Sequence, residues 1–347
     1  MSDRLHVLGG TMSPYSRKMV ALLRYRRIPY QVSWCDINQK LAELGIEKPR
    51  PVLYPVFLLP NEAGEEVATV DSTPIIRTLE SKYRRRSVLP EHPALAFLNY
   101  LLEDFGDEWV VKFMFHYRWN FERDIQVSGP KLVFTSSNTL PGDVANQMSD
   151  MFTQRQISRQ FWVGSNDVTA PLIEAAYKRF LSLMDKHLAV QSFLLGTRPS
   201  SADFAFHGQL TQLIAEDPTP RDIAHDLSLR TVSWVDIMED QSGVDENTTV
   251  WNDPDNLPET LIDLLKEVGS TYAPTMMANA KAARAGEESW KCQVDGQLWE
   301  QPVNAYQAKC TGWIREEFQK LDSAARAQVM EILEGTGCEQ LLEGIDS

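Results

Sequence analysis

A short apolar run that leads through a turn into a helix constrains the fold of this chain more than any other stretch. Residues 5–8 form the run, a glycine pair follows it, and apolar residues recur at helical spacing over residues 14–26. Pro14 falls in the first helical turn, where its missing N–H costs nothing and its fixed φ suits the helix. The pattern predicts strand, turn and helix, with Ser13 at or just before the helix N-terminus.

Two roles are open to Ser13. Backbone N–H groups at a helix N-terminus point outward, and the positive end of the helix dipole favours an anion. Serine is also among the preferred N-cap residues. Its hydroxyl can therefore cap the helix or donate a hydrogen bond to a bound anion. Tyr15 and Ser16 are the alternatives nearby, although Tyr15 is the more typical packing residue.

The first ninety residues continue in alternating strands and helices. Residues 30–34 alternate polar and apolar side chains, and Asp71-Ser72 precedes a proline at a helix start. The predicted elements are a strand at 5–8, a helix at 14–26, a strand at 30–34, a helix at 39–44, strands at 56–59 and 66–70 that form an antiparallel hairpin, and a helix at 75–83. The order is β-α-β-α-β-β-α, and its first β-α-β unit favours parallel strands.

Three features of this segment resemble one known family: the Ser13 turn, Tyr54-Pro55 before the third strand, and Asp71-Ser72 opening the third helix. The segment is similar to the thioredoxin-like N-terminal domain of the glutathione S-transferase superfamily. The fold class predicted from the resemblance is therefore an α/β thioredoxin-like domain followed by an all-α domain.

The resemblance implies a role for each of these positions. Ser13 would be the catalytic group that stabilises the glutathione thiolate. Tyr54 and a cis Pro55 would hold the cysteinyl backbone of glutathione as an added strand does. Asp71 would receive the γ-glutamyl ammonium group and Ser72 the carboxylate. The plain alternatives are helix capping at Asp71 and Ser72, and an ordinary trans proline at position 55.

The turn contains no cysteine, which argues against mixed-disulfide chemistry because such chemistry needs a thiolate nucleophile. Cys35, just after the second strand, is interpreted as structural. The other cysteines are Cys292, Cys310 and Cys338, and the four show neither a CxxC pair nor metal-like spacing. They predict free thiols in a reducing compartment and no metal site.

A proline-containing linker separates this segment from a helical remainder. The predicted domains are residues 1–84, a linker at 85–92, a helical domain at 93–245, and an extension at 246–347 packed on the helical domain. Ser200 and Asp203 form a capping-box-like helix start that resembles one in the second domain of the same superfamily.

The first long helix after the linker, over residues 93–118 and interrupted by Gly106, would line the electrophile pocket if the resemblance holds. The alternative is that its aromatic residues are core and its charges are surface. The candidate pocket residues are Tyr15, Phe105, Glu108, Trp109, Lys112 and His116.

Residues 119–140 are polar and rich in Ser, Gly and Pro, which predicts a long loop or insertion. The extension is predicted to contain a helix at 258–284, a β-hairpin at 290–299 and helices at 306–321 and 324–334. It would roof the pocket or form an oligomer contact. Its aromatic residues are predicted to be core rather than site: Trp290, Trp299, Tyr306 and Trp313.

Composition excludes several classes of function. The chain has 347 residues with 43% hydrophobic and 24% charged residues, typical of a soluble globular protein. Its net charge is −14, which disfavours nucleic acid as a partner, although residues 1–90 carry 14 Lys and Arg against 9 Asp and Glu. No apolar run is long enough to span a membrane, and no secretory signal is evident, so a cytoplasmic protein is expected.

The predicted function is therefore that of a glutathione transferase-like enzyme. The glutathione thiolate, stabilised by Ser13, would attack an electrophilic small molecule in an addition, a displacement or an isomerisation. The resemblance also implies a homodimer. The alternative is a non-catalytic glutathione-binding or scaffold protein that keeps the fold, since fold does not fix function.

Overall fold

The computed structural model describes residues 4–343. Its first part has the predicted order of elements. They are β1 (Leu5–Gly9), α1 (Pro14–Tyr25), β2 (Tyr30–Trp34), α2 (Ile37–Leu44), β3 (Val56–Pro60), β4 (Glu66–Thr69) and α3 (Ser72–Lys82).

The four strands form one sheet in the order β2-β1-β3-β4. β1 pairs with β2 in parallel and with β3 in antiparallel fashion, so that Val7 lies opposite Val32 and Phe57. Alternate residues of β1 and β3 therefore face opposite layers. Leu8 and Val56 pack against α2, whereas Val7 and Phe57 belong to the main core that continues into the helical part. This is the predicted thioredoxin-like α/β domain.

The remainder of the described chain is helical except for one hairpin. Its elements are α4 (Pro93–Phe105), α5 (Val111–Asn120), α6 (Glu122–Phe134), α7 (Gly142–Ile157), α8 (Ala170–Leu188), α9 (Ser201–Leu210), α10 (Pro218–Leu227), α11 (Leu229–Met238), α12 (Glu259–Glu267), α13 (Ala273–Ala285), β5 (Ser289–Val294), β6 (Gln297–Pro302), α14 (Ala305–Gln319) and α15 (Ser323–Leu333). None of the helices within residues 4–343 is both long and apolar enough to cross a membrane.

A π-helical turn at Gly106–Val110 joins α4 to α5 into one long helix. Gly106 does not break the helix. It lies instead at a close crossing with α9. A Cβ at this position would lie 2.9 Å from the Phe206 ring and 3.0 Å from Ala205 Cβ. A glycine is therefore required for packing here, not for a turn.

The prediction of a long loop at 119–140 is wrong: Glu122–Phe134 is a helix. Its small residues, which suggested a loop, lie at a helix contact. Gly129 faces α7 so closely that a Cβ would collide with Thr153 Oγ1 and lie 3.0 Å from Ser149 Oγ. Ser128 Oγ donates a 2.9 Å hydrogen bond to the buried Asp217.

The C-terminal elements also follow the predicted pattern. β5 and β6 form an antiparallel hairpin whose turn residues, Asp295 and Gly296, have φ of 53° and 70°. Trp290 and Trp299 of this hairpin are buried, as expected for core residues. α14 packs beside α13 and α4 and extends along the N-terminal domain. The domain boundaries themselves stay a prediction.

Candidate active site

A cavity of about 1530 Å³ lies between the N-terminal domain and the helices. One wall comes from the loop before α1, the approach to β3 and the start of α3. The opposite walls come from the α4–α5 helix, from α6 and α7, and from α14. Of the predicted glutathione-site residues, Ser13, Tyr54, Asp71 and Ser72 line this one cavity.

Ser13 caps α1, and its hydroxyl also borders the cavity. Its Oγ accepts a hydrogen bond of 3.2 Å from the Ser16 N–H at the N-cap position. A hydroxyl that accepts in this way keeps its own proton free to donate. The two roles considered for Ser13 are therefore compatible. Ser16 is fully buried, and its Oγ accepts from the Gly10 N–H at 3.3 Å, so it stabilises the turn from behind.

The Tyr54-Pro55 peptide bond is cis, as the resemblance implies. It lies just before β3, one of the two central strands of the sheet. Tyr54 borders the cavity, and its ring lies close to Gly10 of the turn before α1, where a Cβ would lie 3.3 Å from Tyr54 Cε1. A second cis bond, Arg50-Pro51, lies in the same approach segment.

Asp71 does not cap α3, although it holds the N-cap position. Its side chain makes no capping hydrogen bond, and its φ of 80° is unusual for a residue other than glycine. The carboxylate turns toward the cavity instead and accepts a hydrogen bond of 2.9 Å from the Tyr306 hydroxyl. Strained backbone of this kind concentrates at functional sites. The plain capping alternative for Asp71 is therefore excluded.

The sequence match agrees with this geometry. The family model described as "Glutathione S-transferase, N-terminal domain" matches residues 9–87, which run from the Ser13 turn through α3. Residues 9–87 are thus similar to the N-terminal domain of glutathione S-transferases. A search of the curated proteins finds no match to the chain.

The comparison with solved structures finds several glutathione transferases at low identity. A glutathione S-transferase from Rhodospirillum rubrum F11 has 18% identity and a TM-score of 0.42, over 68% of this chain and 87% of its own. One from Ceriporiopsis subvermispora in complex with glutathione has 18% identity and a TM-score of 0.46, over 69% and 99%. A family member from Pseudomonas fluorescens with two glutathione bound has 15% identity and a TM-score of 0.42, over 68% and 87%.

A buried lysine, Lys18, contacts the start of α3 and was not predicted from the sequence. Lys18 Nζ donates to Ser72 Oγ at 3.0 Å, to Glu103 Oε1 at 2.8 Å and to Asp107 Oδ2 at 2.6 Å. Burial alone would lower the pKa of Lys18, but the carboxylates of Asp107 and Glu103 outweigh it, so the pKa is raised. The ammonium group therefore stays charged and links Ser72 to the helical domain.

The position of Lys18 relative to the apolar residues of α1 indicates that its side chain faces the core. It lies four residues before Leu22 and seven before Tyr25, both fully buried, so the α1 periodicity places a lysine on the core face. A charge on such a face needs a partner. Nothing local in the sequence indicates that Glu103 and Asp107 supply it.

The turn that carries Ser13 is also fixed by the helical domain. Arg118 on α5 is buried and donates to the Met12 carbonyl at 3.1 Å and to Gln212 Oε1 at 2.9 Å. Its Nε also donates to both oxygens of Asp217, at 2.9 and 3.0 Å. Gln212 Nε2 donates to the Thr11 carbonyl at 3.3 Å. These bonds orient two consecutive carbonyls ahead of Ser13.

The long helix lines the cavity, but through a different face from the one predicted. Tyr15 and Glu108 do border the cavity. Phe105, Trp109, Lys112 and His116 do not: they are buried in the helical core. The residues of the helix that border the cavity are Tyr100, Asp104, Asp107, Glu108, Val111, Met114, Phe115, Arg118 and Trp119.

Lys112 and His116 have partners within that core. Lys112 Nζ donates to the Val163 carbonyl and to Gln301 Oε1, both at 3.1 Å. Desolvation lowers the pKa of Lys112 to about 8. His116 Nδ1 lies 2.8 Å from Ser165 Oγ, and burial lowers its pKa. Phe105, Trp109 and Phe113, which helped to identify this helix, face the core. Asp104, Asp107 and Glu108 face the cavity.

Three carboxyl groups, those of Asp104, Asp107 and Glu108, form an acidic wall along the cavity. Desolvation raises the pKa of each, and repulsion from neighbouring carboxylates adds to the effect. The pKa of Asp107 is about 6, that of Asp104 about 7 and that of Glu108 about 8. Asp104 accepts a hydrogen bond from the Tyr272 hydroxyl, and Asp107 pairs with Lys18. The wall therefore contains carboxyl groups that hold protons near neutral pH.

One face of α14 forms the remaining wall of the cavity. Tyr306, Cys310 and Trp313 recur at helical spacing and all border the cavity. The prediction that Tyr306 is a core residue is thus wrong, because its side chain is 40% exposed, whereas Trp313 packs against the core and also borders the cavity. A roofing role for the extension is consistent with this placement. Burial raises the pKa of the Cys310 thiol, and Asp104 and Glu108 raise it further. Among residues 4–343, no group of three or more His, Cys, Asp or Glu side chains is arranged to hold a metal ion.

Proposed function

We propose that the protein is a glutathione transferase-like enzyme. Glutathione is the co-substrate, and its thiolate attacks an electrophilic small molecule held in the outer part of the cavity. Ser13 acts on the thiolate, the backbone beside Tyr54-Pro55 binds the cysteinyl part, and Asp71 and Ser72 bind the γ-glutamyl end. The match of residues 9–87 to a glutathione S-transferase domain supports this proposal.

The observation that carries the proposal is the meeting of three separate segments at one cavity. Ser13 precedes α1, Tyr54 precedes β3, and Ser72 begins α3, yet all three border the same space. Between them they offer a hydroxyl donor, the backbone beside a cis peptide bond and a helix N-terminus beside a carboxylate. A tripeptide with a thiol, an ammonium group and carboxylates has complementary groups.

The role proposed for Ser13 follows from its hydrogen bonds. Because its Oγ accepts from the Ser16 N–H, its proton is free to point into the cavity. A donor to a thiolate favours the charged form and lowers the thiol pKa. More of the bound glutathione is then nucleophilic at pH 7. Arg118 and Gln212 support this by fixing the carbonyls of the preceding residues.

Calorimetric titration with glutathione tests the binding site. Wild type is expected to bind at micromolar to millimolar concentration, and Ser72→Ala to bind more weakly, because the γ-glutamyl carboxylate loses a hydroxyl donor. Ser81→Ala is the matched control: Ser81 is exposed near the end of the same helix and donates to the Thr78 carbonyl. Absence of binding to the wild-type protein would reject the proposal.

Turnover tests the reaction separately. A panel of electrophiles with glutathione should show catalysis, and Ser13→Ala should lower kcat/KM while leaving glutathione bound. Ser13→Thr, which keeps the hydroxyl, should retain most of the activity. Glutathione binding without turnover of any electrophile would favour the non-catalytic scaffold alternative.

We further propose that the protein is a homodimer, as the family resemblance implies, and that it is located in the cytoplasm. Sedimentation analysis of the full chain checks the first point, and a single species at the mass of the monomer, 39.4 kDa, would contradict it. Cell fractionation checks the second.

A further inference from the structure

We infer that Glu108 is the general acid of the reaction, and that the substrates are electrophiles whose oxygen must take up a proton as the carbon–sulfur bond forms. α,β-Unsaturated carbonyl compounds and epoxides share this chemistry. The inference rests on the proposed transferase function and adds to it a catalytic residue and a substrate class.

Glu108 borders the same cavity as Ser13. It belongs to the π-helical turn Gly106–Val110 and borders the cavity. The Tyr15 hydroxyl donates a 2.8 Å hydrogen bond to the backbone carbonyl of Asp107, the neighbour of Glu108. Tyr15 is itself two residues from Ser13. This bond ties the turn that carries Glu108 to the turn that carries Ser13.

The other two carboxyl groups of the acidic wall are already engaged. Asp107 forms an ion pair of 2.6 Å with Lys18, and Asp104 accepts the Tyr272 hydroxyl. Glu108 forms no ion pair within the described part of the chain. The amide of Gln307 on α14 donates to the Glu108 backbone carbonyl at 3.3 Å. Gln307 also hydrogen-bonds the Glu108 carboxyl group, which lowers its pKa but does not cancel the rise caused by burial.

The surroundings of Glu108 keep its carboxyl group protonated. Desolvation, followed by the charge of Asp104, raises its pKa to about 8. The titratable groups that face it are Asp104, Asp107 and Lys112 on its own helix, Tyr15 on α1, Tyr272 just before α13, and Tyr306 and Cys310 on α14. The Gln307 hydrogen bond and the charge of Lys112 favour ionisation of Glu108, but both are outweighed, and the pKa of Lys112 is itself lowered. A general acid works best when its pKa lies near the working pH.

The proposed step balances as follows. The glutathione sulfur forms a bond to the β-carbon of the unsaturated carbonyl compound, and the π electrons of the carbon–carbon double bond move toward the carbonyl oxygen. The Glu108 carboxyl proton passes to that oxygen and gives the enol. With an epoxide, a carbon–oxygen bond breaks instead, and the same proton neutralises the alkoxide. Solvent returns a proton to the Glu108 carboxylate.

Displacement of chloride from 1-chloro-2,4-dinitrobenzene provides the internal reference, because the leaving group departs as an anion and takes no proton. In the variant Glu108→Gln the shape is kept and the acid is lost. Its kcat/KM for 4-phenyl-3-buten-2-one and for styrene oxide should fall by roughly 10²-fold, the lower end for general acid catalysis. Its kcat/KM for the chlorodinitrobenzene should stay within about twofold of wild type. Glu91→Gln, an exposed position in the linker, should match wild type on all three substrates.

The pH profile gives a second readout. Wild-type activity toward the enone should decline as pH rises through about 8, whereas activity toward the chlorodinitrobenzene should not decline there, and Glu108→Gln should lose the difference. An equal fall on all substrates, or no fall on any, would overturn the inference. So would a wild-type protein that binds glutathione but turns over neither the enone nor the epoxide. Failure of wild type to bind glutathione would instead overturn the proposed function itself.

Discussion

The Tyr306 hydroxyl donates a hydrogen bond of 2.9 Å to Asp71 Oδ2, and so joins the C-terminal extension to the start of α3 across 235 positions of the sequence. A second contact, the 3.9 Å ion pair of Arg77 with Glu317, lies farther along the same two helices. α14 therefore lies against the transferase domain beside the proposed γ-glutamyl site. The C-terminal extension, which lies beyond the usual extent of the family, therefore contacts Asp71 in the proposed glutathione site.

The first prediction concerns this bond. Tyr306→Phe should weaken glutathione binding by roughly threefold to tenfold, because Asp71 loses the donor that orients its carboxylate. A hydrogen bond to a charged group is worth ~1.5–3 kcal/mol, and the smaller effect is expected because Tyr306 is 40% exposed. Calorimetric titration measures the change. Tyr30→Phe, which alters a hydroxyl bonded to Arg24 away from the cavity, is the control, and equal affinities for both variants would refute the role of Tyr306.

The second prediction concerns the Lys18 cluster. Lys18→Met should lower the free energy of unfolding by ~3–5 kcal/mol, since removing one partner leaves buried charges of Glu103 and Asp107 without compensation. Urea denaturation measures it. Lys40→Met removes the exposed ion pair with Glu43 at 3.2 Å and should change stability by less than ~1 kcal/mol. A loss for Lys18→Met as small as that of the control would show that the cluster contributes little.

Much of the fold was predictable because its signals are local. The strand and helix order of the first ninety residues follows from apolar period and turn residues, and Asp295-Gly296 marks the hairpin turn directly. The predicted Ser200–Asp203 capping box is also present, with Ser200 N–H donating to Asp203 Oδ2 at 2.8 Å. Each of these depends on neighbours in sequence, which a single chain displays.

The site was predictable only where a motif carries it. Ser13, Tyr54, Asp71 and Ser72 belong to short motifs, and the structure brings them together. The α4–α5 helix was different, because apolar periodicity identified the helix but did not show which of its faces borders the cavity. That choice depends on how the long helix docks on α9 and α14, which is a matter of contacts between distant segments.

The loop predicted at 119–140 was wrong for the same reason, because the contact of α6 with α7 joins separate segments. The third prediction concerns this contact. Gly129→Ala should destabilise the protein by ~1–3 kcal/mol, as over-packing of a close helix contact does, because its Cβ would meet Thr153 and Ser149. Gly142→Ala on α7 is the control, since a Cβ there meets nothing within 4 Å. Chemical denaturation compares the two. If position 129 lay in an exposed loop, both variants would behave like wild type.

The last prediction concerns the dependence of stability on pH. In the unfolded chain the carboxyl groups of Asp104 and Glu108 ionise near their ordinary pKa values of 3.8 and 4.5, whereas in the folded protein they hold their protons to about 7 and about 8. Between these values the folded state binds more protons than the unfolded state, so the free energy of unfolding falls as pH rises. The lowered pKa of Lys112, about 8, acts in the opposite sense but only above that range. There the unfolded chain binds more protons, so the free energy of unfolding rises with pH.

Wild-type stability should therefore decline from about pH 5 to about pH 8, and Glu108→Gln should decline less. At pH 8 the variant should be the more stable protein by roughly 1–2 kcal/mol, less than the full ~1.36 kcal/mol per unit of pKa shift, because the carboxyl group borders a cavity open to solvent. Urea midpoints at four pH values, with Glu91→Gln as the control, measure the difference. Parallel pH profiles for all three proteins would show that Glu108 ionises in the folded protein much as it does in the unfolded chain, and would remove the protonated carboxyl group on which the general-acid role depends.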